Sequence, residues 1–212
     1  MTLPRLMLAD DHTIVVEAFR KLLEPQYNIV GAVSDGRALL EIAPELNPDL
    51  IVVDIGMPLM NGLEAGLRLK KQMPRVKLIF LTMNNDPDLA TEAMRSGASG
   101  YLLKSSAAEE LTRAIQLALK GKRYVTPQIA SGMQSSFIRN PRAKWQAKTL
   151  TPRQREVVQL LAEGKPMKEV ATILNITPRT VAFHKYRIME ALNIGSNAEL
   201  IEFAIKSGIL VR

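Results

Sequence analysis

The stretch Leu50-Ile51-Val52-Val53-Asp54-Ile55-Gly56-Met57-Pro58 decides how this chain is read. Leu50 to Val53 form a run of four branched apolar residues between the turn formers Asn47-Pro48-Asp49 and Gly56-Met57-Pro58. A run this short, with no polar alternation, predicts a strand buried on both faces, as in a parallel sheet covered by helices. Asp54 then stands at the carboxyl end of the strand, the edge where open α/β sheets collect ligands and reactive groups. Alone, it is equally an aspartate that caps a loop, so its meaning depends on what other strands bring to the same edge.

Outward from that stretch, residues 5–9, 28–32, 77–82 and 100–104 carry strand patterns. Between and after them, residues 13–23, 37–45, 62–72, 87–96 and 107–120 carry helical apolar spacing. Ala108, Leu111, Ile115, Ala118 and Leu119 make one stripe, and Ser106 with Glu109 predicts a capping box at its start. Five βα units predict an α/β doubly wound, five-stranded parallel sheet. The strands then deliver Asp10-Asp11, Asp54, Thr82 and Lys104 to one edge. Three close carboxylates repel one another, and a divalent cation relieves the repulsion. Oxygen ligands select Mg²⁺ or Mn²⁺, with Asp11 and Asp54 as ligands and Asp10 acting through water. Phosphoryl transfer is mostly positioning and charge neutralisation, which this set supplies with Asp54 as the attacking carboxylate.

On Asp10-Asp11, Asp54 with Met57-Pro58 and Gly62, Thr82, and Lys104-Ser105, residues 4–120 resemble a response-regulator receiver domain, which is flavodoxin-like in fold. The resemblance implies that Asp54 accepts a phosphoryl group from a sensor histidine kinase. It also implies that the backbone carbonyl of Gly56 completes the Mg²⁺ shell and that Thr82 and Lys104 contact the phosphoryl oxygens. Tyr101 matches the aromatic switch partner of Thr82, although an aromatic in such a strand is also an ordinary core residue. His12 reads as a solvated residue at the start of the first helix. An aspartyl phosphatase needs a second carboxylate two residues after its nucleophile, where this chain has Gly56, and no glycine-rich phosphate loop follows the first strand. A slow switch is expected, not an enzyme.

Residues 1–120 hold 13 Lys and Arg against 15 Asp and Glu, whereas 121–212 hold 15 against 6, for a net charge of +7. The basic second part, which has no aspartate, points to a polyanion such as nucleic acid. The chain has no cysteine, which suits a reducing compartment, so a cytoplasmic location is expected. No apolar run reaches the ~18 residues of a membrane span.

Residues 121–147 are read as a linker, with Tyr124-Val125-Thr126-Pro127 as a turn, a short helix over 128–137 bearing Met133 and Phe137, and a basic stretch 139–145 broken by Pro141 and ending at Trp145. Residues 148–212 punctuate themselves as a small all-α domain of four helices. Thr151-Pro152-Arg153-Gln154 and Thr177-Pro178 start two of them, Pro166 another, and Ser196 with Glu199 caps the last. Leu150 to Ile194 resembles the LuxR-type helix-turn-helix, on Leu150-Thr151-Pro152-Arg153, Leu160-Leu161-Ala162-Glu163-Gly164, Lys168-Glu169-Val170-Ala171, Thr180-Val181, His184 and Arg187-Ile188-Met189. Pro166-Met167 departs from the family's small polar residue and asparagine. With Val181, His184, Ile188 and Leu192 turned inward, Arg179, Thr180, Ala182, Phe183, Lys185 and Tyr186 form the expected DNA-binding face. Ala182 and Phe183 offer apolar contact to thymine methyls. The two resemblances together imply a NarL/FixJ-type regulator of transcription that binds double-stranded DNA and is a homodimer when active. The resemblance implies that the unphosphorylated receiver masks the recognition helix; control by dimerisation instead would run through the receiver face near Tyr101 and the helix over 196–205. The alternative is a receiver-controlled module that binds a protein or RNA partner.

Overall fold

A computed structural model describes residues 2–136 and 150–210. The chain divides into two compact units, Met1–Arg139 and Asn140–Arg212. Phe137, the basic stretch 139–145 and Trp145 lie outside the described residues.

In the first unit β1 (Arg5–Ala9), β2 (Asn28–Val33), β3 (Leu50–Asp54), β4 (Lys77–Thr82) and β5 (Gly100–Leu103) alternate with α1 (Thr13–Leu23), α2 (Gly36–Leu46), α3 (Gly62–Gln72), α4 (Pro87–Arg95) and α5 (Ala107–Leu119). All strand pairs are parallel. β3 lies between β1 and β4 and is buried at every residue, which explains its unbroken apolar run. On one side of the sheet, Leu6, Leu8, Val52, Ile79, Leu81 and Leu102 pack with Val16 and Phe19 of α1 and with Leu111 and Ile115 of α5. Burying each such side chain contributes about 1.5–3 kcal/mol, and truncating one to alanine costs about 2–5 kcal/mol.

The sheet has six strands, not the expected five. β6 (Tyr124–Val125) pairs with β5, in the order β2-β1-β3-β4-β5-β6, and α6 (Pro127–Ser136) follows it. Residues 121–136, read from sequence as the start of the linker, therefore belong to the first unit. Tyr124 N–H donates to Ser99 O (3.1 Å) and Thr126 N–H to Tyr101 O (3.0 Å), so the expected turn is a ladder. The Thr126 hydroxyl accepts from Leu103 N–H (3.2 Å) and donates to Glu110 (2.8 Å). α6 then packs on α4. β6 and α6 thus lie against β5 and α4, beside the strand that carries Tyr101. The capping box expected at Ser106 is also absent: its backbone is already helical and its hydroxyl donates to Leu103 O (3.3 Å).

The second unit consists of α7 (Pro152–Ala162), α8 (Met167–Leu174), α9 (Pro178–Leu192) and α10 (Asn197–Lys206). Thr151 and Gln154 form a full capping box ahead of Pro152, and Thr177 and Ser196 cap α9 and α10 through the N–H groups of Thr180 and Glu199. Asn175 takes the left-handed conformation (φ 52°) that ends α8 and lets α9 turn away. Leu150, Val158, Ile188, Leu192, Leu200, Ala204 and Ile209 make the core. Among the described residues no helix is long and apolar enough to cross a membrane.

Candidate functional site

The register of the sheet assembles an acid pocket. Ala9 pairs with Val53, so Asp10 and Asp54 leave adjacent strands side by side, and Lys104 follows β5 with its N–H on Thr82 O (2.8 Å). Asp10 is 5% exposed and Asp54 3%. The Lys104 ammonium stands 2.8 Å from Asp10 Oδ2 and 2.9 Å from Asp54 Oδ2. Burial pushes the Asp54 carboxyl above its ordinary pKa and Asp10 adds to this, against the pull of Lys104 and the Gly56 N–H. Burial also opposes the charge on Lys104, but the two carboxylates outweigh it and hold the ammonium above its usual value. Gly62 keeps the loop tight, since a Cβ there would stand 2.0 Å from the backbone oxygen of Asp54.

Carboxylate oxygens of Asp10, Asp11 and Asp54 and a His12 ring nitrogen lie within 4.8 Å of one another. Asp10 Oδ2 is buried without an aligned hydrogen-bond donor, although Lys104 is in ion-pair contact with it. A set of three carboxylates beside one imidazole, with Asp10 Oδ2 lacking an aligned donor and Asp11 exposed, is rich in oxygen ligands and fits a hard divalent cation. His12 is largely exposed, and its Nδ1 lies 2.9 Å from Asp11 Oδ1 and 3.2 Å from Asp10 Oδ1.

Thr82 ends β4 at 1% exposure, with its hydroxyl accepting from Asn84 N–H (3.0 Å). The Tyr101 ring is fully buried, its hydroxyl has no aligned partner, and its pKa is strongly raised by burial first and by the Asp86 charge second, with Thr82 beside it opposing. Tyr101 is therefore in the inward position, next to Thr82. A broad open cleft lies at the opposite, amino edge of the sheet, lined by residues such as Arg5, Tyr27, Asp49 and Lys77, away from this chemistry.

In the helical unit α9 presents Arg179, Phe183, Tyr186 and Arg187 to solvent, with Phe183 58% and Tyr186 62% exposed. Ala182 is half-buried, and the Thr180 hydroxyl is shared with Thr177 (2.9 Å) at the cap. Lys185, expected on the reading face, is instead 8% exposed and aligned with Val181, Ile188 and Leu192 on the buried side. His184, expected inward, is half-buried and edge-on to Phe183 at 5.8 Å. At 100° per residue, position 185 falls about 40° from 181 and about 20° from 192, at the margin of the inner stripe, and the long methylene stem of a lysine tolerates that place. Arg187 was not expected on this face. Its guanidinium lies 5.9 Å from the Phe183 ring, and the i, i+4 spacing was the available signal.

Comparison with known proteins follows the same division. Residues 6–116 match the response regulator receiver domain, and residues 148–204 match the bacterial regulatory proteins of the luxR family. The chain is 31% identical over 205 residues to the response regulator UvrY of Escherichia coli, covering 96% of this chain and 94% of that protein. Among solved structures it is similar to the RcsB response regulator of Salmonella typhimurium, with TM-score 0.66, 27% identity, and coverage of 98% of this chain and 99% of that one. A structure of two RcsB dimers bound to two parallel DNAs matches with TM-score 0.60 and 28% identity, covering 97% of this chain and 99% of that one.

Proposed function

The chain belongs to the two-component response regulators that join a receiver domain to a LuxR-type DNA-binding domain, and from that premise we propose that Asp54 is the phosphoacceptor through which DNA binding is controlled. The observation that carries the assignment is the burial of Asp54 at the end of β3, with the Lys104 ammonium in contact with both it and Asp10. An Asp54 oxygen attacks the phosphorus of a kinase phosphohistidine; the P–N bond breaks as the P–O bond forms, and the imidazole keeps the electron pair and takes a proton. Lys104 shifts from pairing carboxylates to pairing a phosphoryl oxygen, and the Thr82 hydroxyl contacts another. Asp10, Asp11, Asp54 and the Gly56 carbonyl would hold Mg²⁺ (or Mn²⁺), which neutralises charge on the phosphoryl oxygens. With Gly56 two residues beyond the nucleophile, no general acid drives turnover, so the protein acts as a switch and not as an enzyme. Thr82 and Tyr101 form the switch pair.

The output is transcriptional regulation through double-stranded DNA. α9 enters the major groove with Phe183, Tyr186, Arg187 and Ala182 towards the bases, and with Arg179 and Thr180 near the backbone. RcsB sits on DNA as dimers, and a homodimer is proposed here too, through α10, where Ile205 is 47% exposed. The domain limits proposed are 4–136 for the receiver, including β6 and α6, and 148–212 for the DNA-binding part. A cytoplasmic location follows from the DNA partner.

The test is labelling from acetyl phosphate. The wild-type chain takes up phosphoryl groups only with Mg²⁺, and Asp54→Asn takes up none; full labelling of the variant, or undiminished labelling in excess chelator, overturns the assignment. Mobility shifts with duplex DNA against RNA of the same sequence separate the DNA reading from an RNA-binding output.

A further inference from the structure

The last described segment of the first unit, β6 and α6, is anchored at both ends of the switch. Residues 124–126 lie along β5, the strand that carries Tyr101 and runs into Lys104. Val125 pairs with Tyr101, Thr126 N–H donates to Tyr101 O (3.0 Å), and the Thr126 hydroxyl accepts from Leu103 N–H (3.2 Å). Six residues later, Gly132 of α6 meets Pro87, the first residue of α4, so closely that a Cβ would stand 2.5 Å from Pro87 Cγ and 3.1 Å from its Cβ. Pro87 follows Asp86, the α4 cap whose charge acts on the Tyr101 hydroxyl. Ile129, between the two anchors, is fully buried.

We propose that β6 and α6 form a strap across β5 and the start of α4, and that the Gly132–Pro87 contact couples the state of the Thr82–Tyr101 switch to α6, the last described element before the DNA-binding part. The proposal rests on the reading of Asp54 as the controlling site and adds the path by which its state leaves the receiver. A shift of α4 towards α6 cannot leave α6 in place, because a helix backbone and a proline ring in close contact have no slack in that direction. The coupling is reciprocal: whatever the switch does to α6 docking, α6 docking does to the switch. Glycine suits position 132 for its lack of a side chain and not for freedom of the backbone, since α6 is a regular helix there.

Two readouts on the full chain test the strap. In hydrogen exchange, beryllofluoride with Mg²⁺ is expected to change protection of residues 87–95 and 127–136 together in the wild type. In Gly132→Ala the added Cβ, 2.5 Å from Pro87 Cγ, pushes α6 off α4, so the α4 response persists and the α6 response is lost, and fraying does not explain the loss, because alanine favours a helix over glycine. The ratio of DNA affinities with and without beryllofluoride falls at least about five-fold, the low end of coupling between linked sites. Pro87→Ala combined with Gly132→Ala removes the Cγ and restores both readouts. Thr126→Val, which removes the hydroxyl bonds to Leu103 and Glu110 and leaves the backbone ladder in place, weakens the β5 anchor and reduces the coupling by the other end. Should wild-type α4 respond while α6 stays unchanged, or should folded Gly132→Ala keep both responses, the strap is wrong. Joint movement of α4 and α6 without any change in DNA affinity supports the strap and refutes phosphorylation control of DNA binding instead.

Discussion

The two units handle charge in opposite ways. The receiver buries it: Asp10, Asp54 and Lys104 are packed against one another beneath the carboxyl edge of the sheet. The helical unit displays it, with Arg179 and Arg187 exposed beside the aromatic rings of Phe183 and Tyr186. Buried charges act strongly over a few ångströms and each depends on its partners, whereas exposed charges act weakly, additively and under salt screening. Substitutions in the pocket should therefore be near all-or-none, and those on α9 graded.

The largest expected effect is in the pocket. Asp10→Ala removes the carboxylate with the under-satisfied oxygen, and Mg²⁺ titrations of phosphoryl uptake should shift by at least about 100-fold, the upper end for disturbing a metal site. A variant that titrates like the wild type would mean that Asp10 only pairs with Lys104. Next, on α9, Phe183→Ala should cost about 1–3 kcal/mol at one thymine position and little elsewhere. Ranking single-base variants of a bound site checks this, and an unchanged ranking in a folded protein moves the reading face elsewhere. Smaller again, Arg179→Ala should weaken all sequences alike and reduce the salt slope by about 1. Lys185→Met should leave the slope unchanged, because that lysine is on the buried side of α9. If the two variants behave alike, the contrast between inner and outer faces fails.

The smallest effect returns to the pocket from the side of stability. The Asp54 pKa is raised, so the native state holds this proton to higher pH than the unfolded chain does. Its contribution to stability therefore falls as pH rises through the interval above the ordinary carboxylate value of about 4. Without Mg²⁺, Asp54→Asn should melt slightly above the wild type at pH 7, with the advantage disappearing as the pH falls to about 4. A lower Tm at pH 7 would mean that Lys104 more than repays the burial.

What was legible in the sequence follows from period and length. β3 announced itself because both faces are buried, and the pocket because strand ends in a parallel sheet share an edge, so Asp10, Asp54, Thr82 and Lys104 could be grouped by position alone. β6 was not legible: two residues, Tyr124 and Val125, carry no period, and what makes them a strand is the free edge of β5 beside them. Lys185 misled for another reason. Stripes through 181, 184, 188 and 192 or through 181, 185, 188 and 192 differ in one member, and charge suggested the wrong one. The Ser106 cap failed because serine three residues before glutamate fits a helix start, yet the backbone there enters the helix one residue early.

The short strand β6 also bears on how the receiver can be handled in isolation. An uncovered β5 would offer Gly100-Tyr101-Leu102-Leu103, an apolar row of unpaired backbone groups, as a template for other chains, the usual route to edge-to-edge aggregation. Tyr124 and Val125 close that row, and α6 lies on the neighbouring helix. A receiver fragment cut after α5 at Lys120 therefore exposes a sticky edge, while one carried to Ser136 keeps it covered.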